Sequence, residues 1–253
     1  MDINYCHMLS FTGLHQWDVE TKYPDVFSDE FEEWCDYVAR SECVRFKDDP
    51  KLIGYFYTDC PTFAHDSIPH PNMKKAWFDP EKIKSDSSYR EKFKRTAIRY
   101  YKVLHDSIRR YDQNHLIFGD RYEATPWIPD ELFEAATPYV DVFGFQYFKD
   151  IDVICERFDG IYQQTGKPIL LADASIPRKK DPGAHEQYPV FLKELSEMDC
   201  CIGWHYCDPV CPNGCTRSDD NRHQHVLLRL PRLRLGEFCQ KDHNHNLHRV
   251  NAR

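Results

Sequence analysis

Six short apolar runs in this 253-residue chain each end in side chains that can donate a proton, accept one or stack on a ring. His7 lies near the end of the first. Thr58-Asp59-Cys60-Pro61 follows the second, Gly119-Asp120-Arg121-Tyr122-Glu123 the third and Gln146-Tyr147 the fourth. Asp173 follows the fifth, and Trp204-His205-Tyr206 closes the sixth. A single Asp after a strand commonly caps the next helix, but six such endings in succession point to a shared site. Carboxylates can transfer a proton or attack a carbon, aromatic faces stack on pyranose rings, and polar forks bond hydroxyls. The combination suits a sugar.

Residues this far apart in sequence meet only if the fold gathers strand ends on one face, as a parallel barrel does. The runs fit that requirement, with strands expected at Asn4–Leu9, Leu52–Tyr57, Leu116–Gly119, Val140–Gln146, Ile169–Ala172 and Cys201–Tyr206. Between them lie helical stretches. Ser28 can cap a helix in which Phe31, Trp34, Cys35 and Val38 recur at helical spacing, with Asp29 and Glu30 suited to its N-terminal dipole. After Ser88, Phe93, Ala97, Tyr101, Leu104 and Ile108 form one apolar stripe. Further helices are expected at Asp130–Ala136, Ile151–Thr165, closed by Gly166, and Glu186–Met198. The segment 59–86 holds Pro61, Pro69, Pro71 and Pro80 and reads as a long loop, of the kind that usually carries function. The expectation is an α/β fold, a (β/α) TIM-type barrel over residues 1–207 with about six βα units where closure needs eight. Residues 208–253 read as an irregular tail.

The strand endings resemble those of the retaining glycoside hydrolase superfamily that includes β-galactosidases and agarases. Leu52-Ile53-Gly54-Tyr55-Phe56-Tyr57-Thr58-Asp59-Cys60-Pro61 is similar to that group's fourth strand, which ends in Asn-Glu with the Glu as acid/base. Lys167-Pro168-Ile169-Leu170-Leu171-Ala172-Asp173 is similar to its seventh, which ends in a nucleophilic Glu. Gln146-Tyr147 falls on the sixth and Gly203-Trp204-His205-Tyr206 on the eighth. The resemblance spans residues 4 to 207 and implies strands three to eight of the family, with the first two missing. It sets Asp59 on the family's Asn, Cys60 on its acid/base Glu and Asp173 on its nucleophile. It implies hydrolysis of β-linked galactoside or agar-type oligosaccharides with Asp59 as substitute acid/base, Asp173 as nucleophile and no cofactor. Asp120 and Glu123 stand in reserve. Asp120, Arg121, Tyr122, Glu123, Gln146, Tyr147, Trp204 and His205 would face the sugar, although Arg121 is expected to pair with a carboxylate. Trp204, Tyr147 and Trp127 would supply an aromatic surface.

Two other readings compete: a sugar-binding or degenerate barrel without catalysis, and a metal-dependent hydrolase in which His7, Asp59, Asp120, Asp173 and His205 hold a divalent ion. In the tail, Cys207, Cys211, Cys215, His223 and His225 have ligand types that suit zinc, at spacings unlike the usual ones. The formal net charge of −8 argues against nucleic acid as a partner. No run approaches the roughly 20 apolar residues of a membrane span, and the first residues lack the order of a signal peptide. The chain as given reads as cytoplasmic, with export open if the gene extends upstream. The 11 cysteines read as reduced thiols. Strand edges left open by the missing units favour self-association, or coverage by Val226–Leu230 of the tail.

Overall fold

The computed structural model describes residues 4–64, 72–147, 151–174, 184–206 and 226–229. Six parallel strands run in chain order: β1 (Tyr5–Met8), β2 (Leu52–Asp59), β3 (Leu116–Glu123), β4 (Phe143–Tyr147), β5 (Ile169–Ala174) and β6 (Cys201–Tyr206). The helices are α1 (Asp29–Phe46), α2 (Pro80–Ser85), α3 (Ser87–Tyr111), α4 (Asp130–Ala136), α5 (Ile151–Thr165) and α6 (Ala184–Glu197). The sheet is a curled half-barrel of the α/β class, as expected of an incomplete TIM-type barrel. A seventh strand, β7 (Val226–Arg229), comes from the expected tail and pairs antiparallel with β6. It occupies one of the two edges that the sequence left open.

Local chemistry accounts for the helix boundaries. Ser28 accepts the Phe31 amide at 3.2 Å and so caps α1, whose first turn carries Asp29, Glu30 and Glu32. Asp86, two residues before the expected Ser88, caps α3 by accepting from Ser88 and Tyr89. Asp79 caps α2, a short helix at the end of the long segment 59–86, and Pro80 fits there because the first helical position needs no amide hydrogen.

Two apolar layers flank the sheet. The larger joins its outer side to the helices and includes Tyr55, Tyr57, Ile117, Tyr122, Phe143, Phe145, Tyr147 and Trp204. The smaller lines the inner side with Phe56, Phe118, Val142, Leu170 and Ala172. Strict alternation would carry every second residue of β3 inward, but Gly119 interrupts it at φ 66°. A Cβ there would also lie 2.8 Å from Val140 Cγ1, so both backbone and space call for glycine. Tyr55 pairs with Ile117 and Phe56 with Gly119, which leaves Phe118 as an extra residue on β3. Asp59 then pairs with Arg121, so β2 spends three steps where β3 spends two. The opposed bulges turn Asp120 to the helix side and bring Arg121 and Asp59 side by side on the inner face.

β2 and β3 run past their expected ends, to Asp59 and Glu123. Asp120, Arg121 and Tyr122 are therefore strand residues rather than loop residues, and their faces are set by the pleat. The described cysteines, Cys6, Cys35, Cys43, Cys60, Cys155, Cys200 and Cys201, are free thiols. No described helix is long and apolar enough to cross a membrane.

Candidate functional site

Arg121 is the centre of the strand-end face. Its Nε lies 2.7 Å from Asp59 Oδ1 and its Nη2 2.6 Å from Asp59 Oδ2, a two-pronged pairing that matches the planar guanidinium to the carboxylate. The same Nη2 is 3.7 Å from Asp173 Oδ2, and Nη1 reaches the Ala172 carbonyl at 3.4 Å. Asp59 and Asp173 thus share one nitrogen, which holds their nearest oxygens well inside the roughly 10 Å that bounds a glycosidase pair.

Asp59 accepts more than the arginine. Cys60 Sγ approaches its Oδ1 at 3.2 Å, and His15 Nε2 lies 3.7 Å from its Oδ2. Burial pushes the Asp59 carboxyl up, but the His15 bond and the Arg121 charge outweigh it and hold the group well below the usual carboxylate range. Asp59 is a fixed anion, whereas a glycosidic general acid must carry a proton near neutrality. Cys60 cannot supply that proton efficiently either. Burial first, and the Asp59 charge next, push its thiol far above the ordinary value. Its φ of 39° places it in the left-handed region, where it turns the chain out of β2.

Glu123 and Gln146 meet at the ends of β3 and β4. Gln146 Nε2 donates to Glu123 Oε2 at 2.7 Å, and the other Glu123 oxygen accepts from Thr125 Oγ1 at 3.0 Å. His205 is buried with Nδ1 3.1 Å from the Ala172 carbonyl, the same residue that Arg121 contacts. Asp59, Arg121, Glu123, Gln146, Asp173 and His205 are consequently the predicted residues that occupy the strand-end side.

Four predicted sugar contacts lie elsewhere. Asp120 is fully buried against α3, accepting from Tyr100 at 3.0 Å and Tyr101 at 2.8 Å. Tyr122 bonds Tyr101 and packs among Phe133, Phe143 and Phe145. Tyr147 and Trp204 belong to the same helix-side layer and are almost wholly buried. In each case the pleat directs the side chain away from the inner face. Trp127 lies under Lys84 Nζ at 4.6 Å, beside α2.

The loop between β1 and α1 brings in residues that carry no motif or periodic signal. His15 bridges to Pro61, and the Gln16 amide donates to the Cys60 carbonyl at 3.2 Å. Lys74 holds this loop from beneath. Its nearly buried ammonium donates to the carbonyls of Gly13 at 2.9 Å, Asp18 at 3.1 Å and Thr21 at 2.5 Å, and to Thr21 Oγ1 at 2.7 Å, while covering the Tyr23 ring at 4.5 Å. Trp17, half exposed, rides on the same turn as His15. Only long-range contacts reveal these roles.

His15, Asp59 and Cys60 offer ligand atoms within 4.8 Å of one another. Arg121 covers both Asp59 oxygens, and the Trp17 amide points at His15 Nδ1 at 3.3 Å, which favours the proton on Nε2. These features suit an anion held by donors better than a cation held by ligands. The other metal set does not assemble: His7 Nε2 contacts Glu42 of α1 at 3.2 Å, and Asp120 faces α3. The cysteines and histidines of the proposed tail site, from Cys207 to His225, lie outside the described residues. An open groove between α1 and α3, lined by Glu33, Arg40, Lys102 and Arg110, is remote from the strand ends and offers mixed surface charge.

No family model and no curated protein sequence matches the chain. Solved structures do. An agarase, AgWH50C, superposes with a TM-score of 0.62 at 14% identity over 80% of this chain and 37% of its own. The fold is similar to that of this agarase. An exo-beta-agarase gives 0.61 at 18% identity over 80% of this chain and 36% of its own. A beta-glucuronidase from Bacteroides uniformis gives 0.51 at 10% identity over 73% and 22%. The chain spans less than half the length of each of these structures.

Proposed function

We propose that this chain is a carbohydrate-binding protein built on a glycoside hydrolase-like half-barrel, recognising β-linked galactoside or agar-type oligosaccharides at the strand ends. The observation that carries the reading is the single guanidinium shared by Asp59 and Asp173. It gathers polar groups where strand ends converge, and it holds Asp59, the expected acid, as an anion without the proton that acid-catalysed cleavage requires. Glu123 and Gln146 add a fork of acceptors and donors for hydroxyls, and no cofactor is needed for binding.

The second reading is slow hydrolysis with Asp173 as nucleophile or charge stabiliser, favoured by its closeness to Asp59 through Arg121. One experiment separates the two: thermal melting with neoagaro- and galacto-oligosaccharides, alongside reducing-end assays with and without EDTA. Stabilisation without product supports binding, while EDTA-insensitive product lost in Asp173→Asn supports hydrolysis. EDTA-sensitive product supports metal chemistry. Neither stabilisation nor product, across both sugar series, refutes the carbohydrate reading.

A further inference from the structure

We propose that the outer face of α1 is a homodimer interface, packing antiparallel against α1 of a second copy of this chain. The inner face of α1 is already committed, with Phe31, Cys35, Val38, Ala39 and Cys43 in the core. Opposite it, Trp34, Tyr37 and Val44 are 49%, 54% and 47% exposed and fall on one stripe of a 3.6-residue helix. The Trp34 and Tyr37 rings stack with centroids 5.8 Å apart at 27°, and the Trp34 indole donates to the Phe11 carbonyl at 2.7 Å. This plate is ordered before any partner arrives, so docking on it forfeits little side-chain freedom.

The charges of α1 identify the occupant. Toward α3 and β1 they are satisfied within the chain: Glu32 by Arg99, Asp36 by Arg110 and Glu42 by His7. Glu30 and Arg45 are exposed on the outer stripe, Glu33 and Arg40 are exposed on its flank beside the groove toward α3, and the four make no ion pair among the described residues. The two acids precede Tyr37 and the two arginines follow it. A two-fold axis near Tyr37 therefore sets the acidic half of one helix against the basic half of the other, whereas parallel packing would set like against like. An aromatic centre with a charged rim is the usual anatomy of such a contact. The partner's complementary pattern is the one this chain carries. The surface differs from the sheet edges first expected to associate, one of which β7 occupies.

Sedimentation of the full chain tests the proposal without reference to sugar. The wild type should shift from monomer toward twice that mass as concentration rises. The all-basic variant Glu30→Arg/Glu33→Arg and the all-acidic variant Arg40→Glu/Arg45→Glu should each remain monomeric alone, with wild-type circular dichroism, and form a heterodimer when mixed. A wild type that stays monomeric throughout overturns the proposal. So does a wild-type dimer that both variants retain, or a pair of folded variants whose mixture stays monomeric. Should either charge variant fail to fold, Trp34→Glu replaces it and should abolish the dimer.

Discussion

Asp59 and Asp120 sit on adjacent strands and on opposite faces of the same sheet, and they carry their charges in opposite ways. Asp59 meets Arg121, His15 and Cys60, and its proton is driven off. Asp120 meets only neutral donors, Tyr100, Tyr101 and the Thr58 amide. Burial, which these hydrogen bonds only partly offset, raises it to about 7. Full counter-charge outweighs desolvation, while hydroxyl dipoles do not. The strand-end face is therefore permanently charged, and the helix layer holds the group that titrates near neutrality. A glycosidic acid would need the second environment at the first location.

The contrast can be broken most severely at Arg121. Arg121→Met should destabilise the protein by about 3 kcal/mol, the low end for a broken buried pair, because the Asp59 side chain remains 26% exposed. Urea unfolding at neutral pH reads this directly, and a loss below about 1 kcal/mol would show that the carboxylates do not depend on the guanidinium.

Asp120→Asn should act through pH. Its folded pKa of about 7 exceeds the unfolded value of about 3.9, so its stabilising contribution is complete below the latter and is lost as pH rises through the former. The wild type should lose up to about 1.4 kcal/mol per pH unit across that window from this group, and the Asn variant should not. Asp59, shifted downward, works in the other direction: its contribution is present above about pH 3.9 and disappears as acid protonates it. Stability profiles in which neither Asp120→Asn nor Asp59→Asn alters its own limb would invalidate the comparison.

Gly119→Ala should cost about 1–3 kcal/mol, since alanine must adopt a left-handed φ and meet Val140. If the variant also moves the Asp120 titration, the bulge is what keeps the two carboxylates on separate faces. The smallest effect concerns Cys60. Iodoacetamide at pH 8 should label it far more slowly than a free peptide thiol, because burial and the Asp59 charge suppress its thiolate. Peptide mass spectrometry showing Cys60 among the first sites labelled would contradict that account.

The strand order and the meeting of Asp59, Arg121 and Asp173 were legible because each run of β-type residues ends in a distinctive group. The facing of Asp120 and Tyr122 was not, since reading them as loop residues hid the pleat, and a glycine bulge changed its phase. Tyr147 and Trp204 illustrate the same limit: an aromatic at a strand end belongs to whichever side the alternation assigns it. His15 and Lys74 had no periodic or motif signal, because their roles rest on carbonyls and a carboxylate more than forty residues away in sequence.

Lys74 leaves the loop bearing His15 with an unusual dependence. Several oxygens converge on a positive centre there much as they would on a bound metal ion, yet this centre is tethered to the backbone and has no dissociation constant. Chelators and changes in ionic composition should leave the loop in place. Acylation of the Lys74 amine would neutralise the cation on which these oxygens converge, so covalent chemistry on lysine can reach this side of the strand-end face where ion depletion cannot.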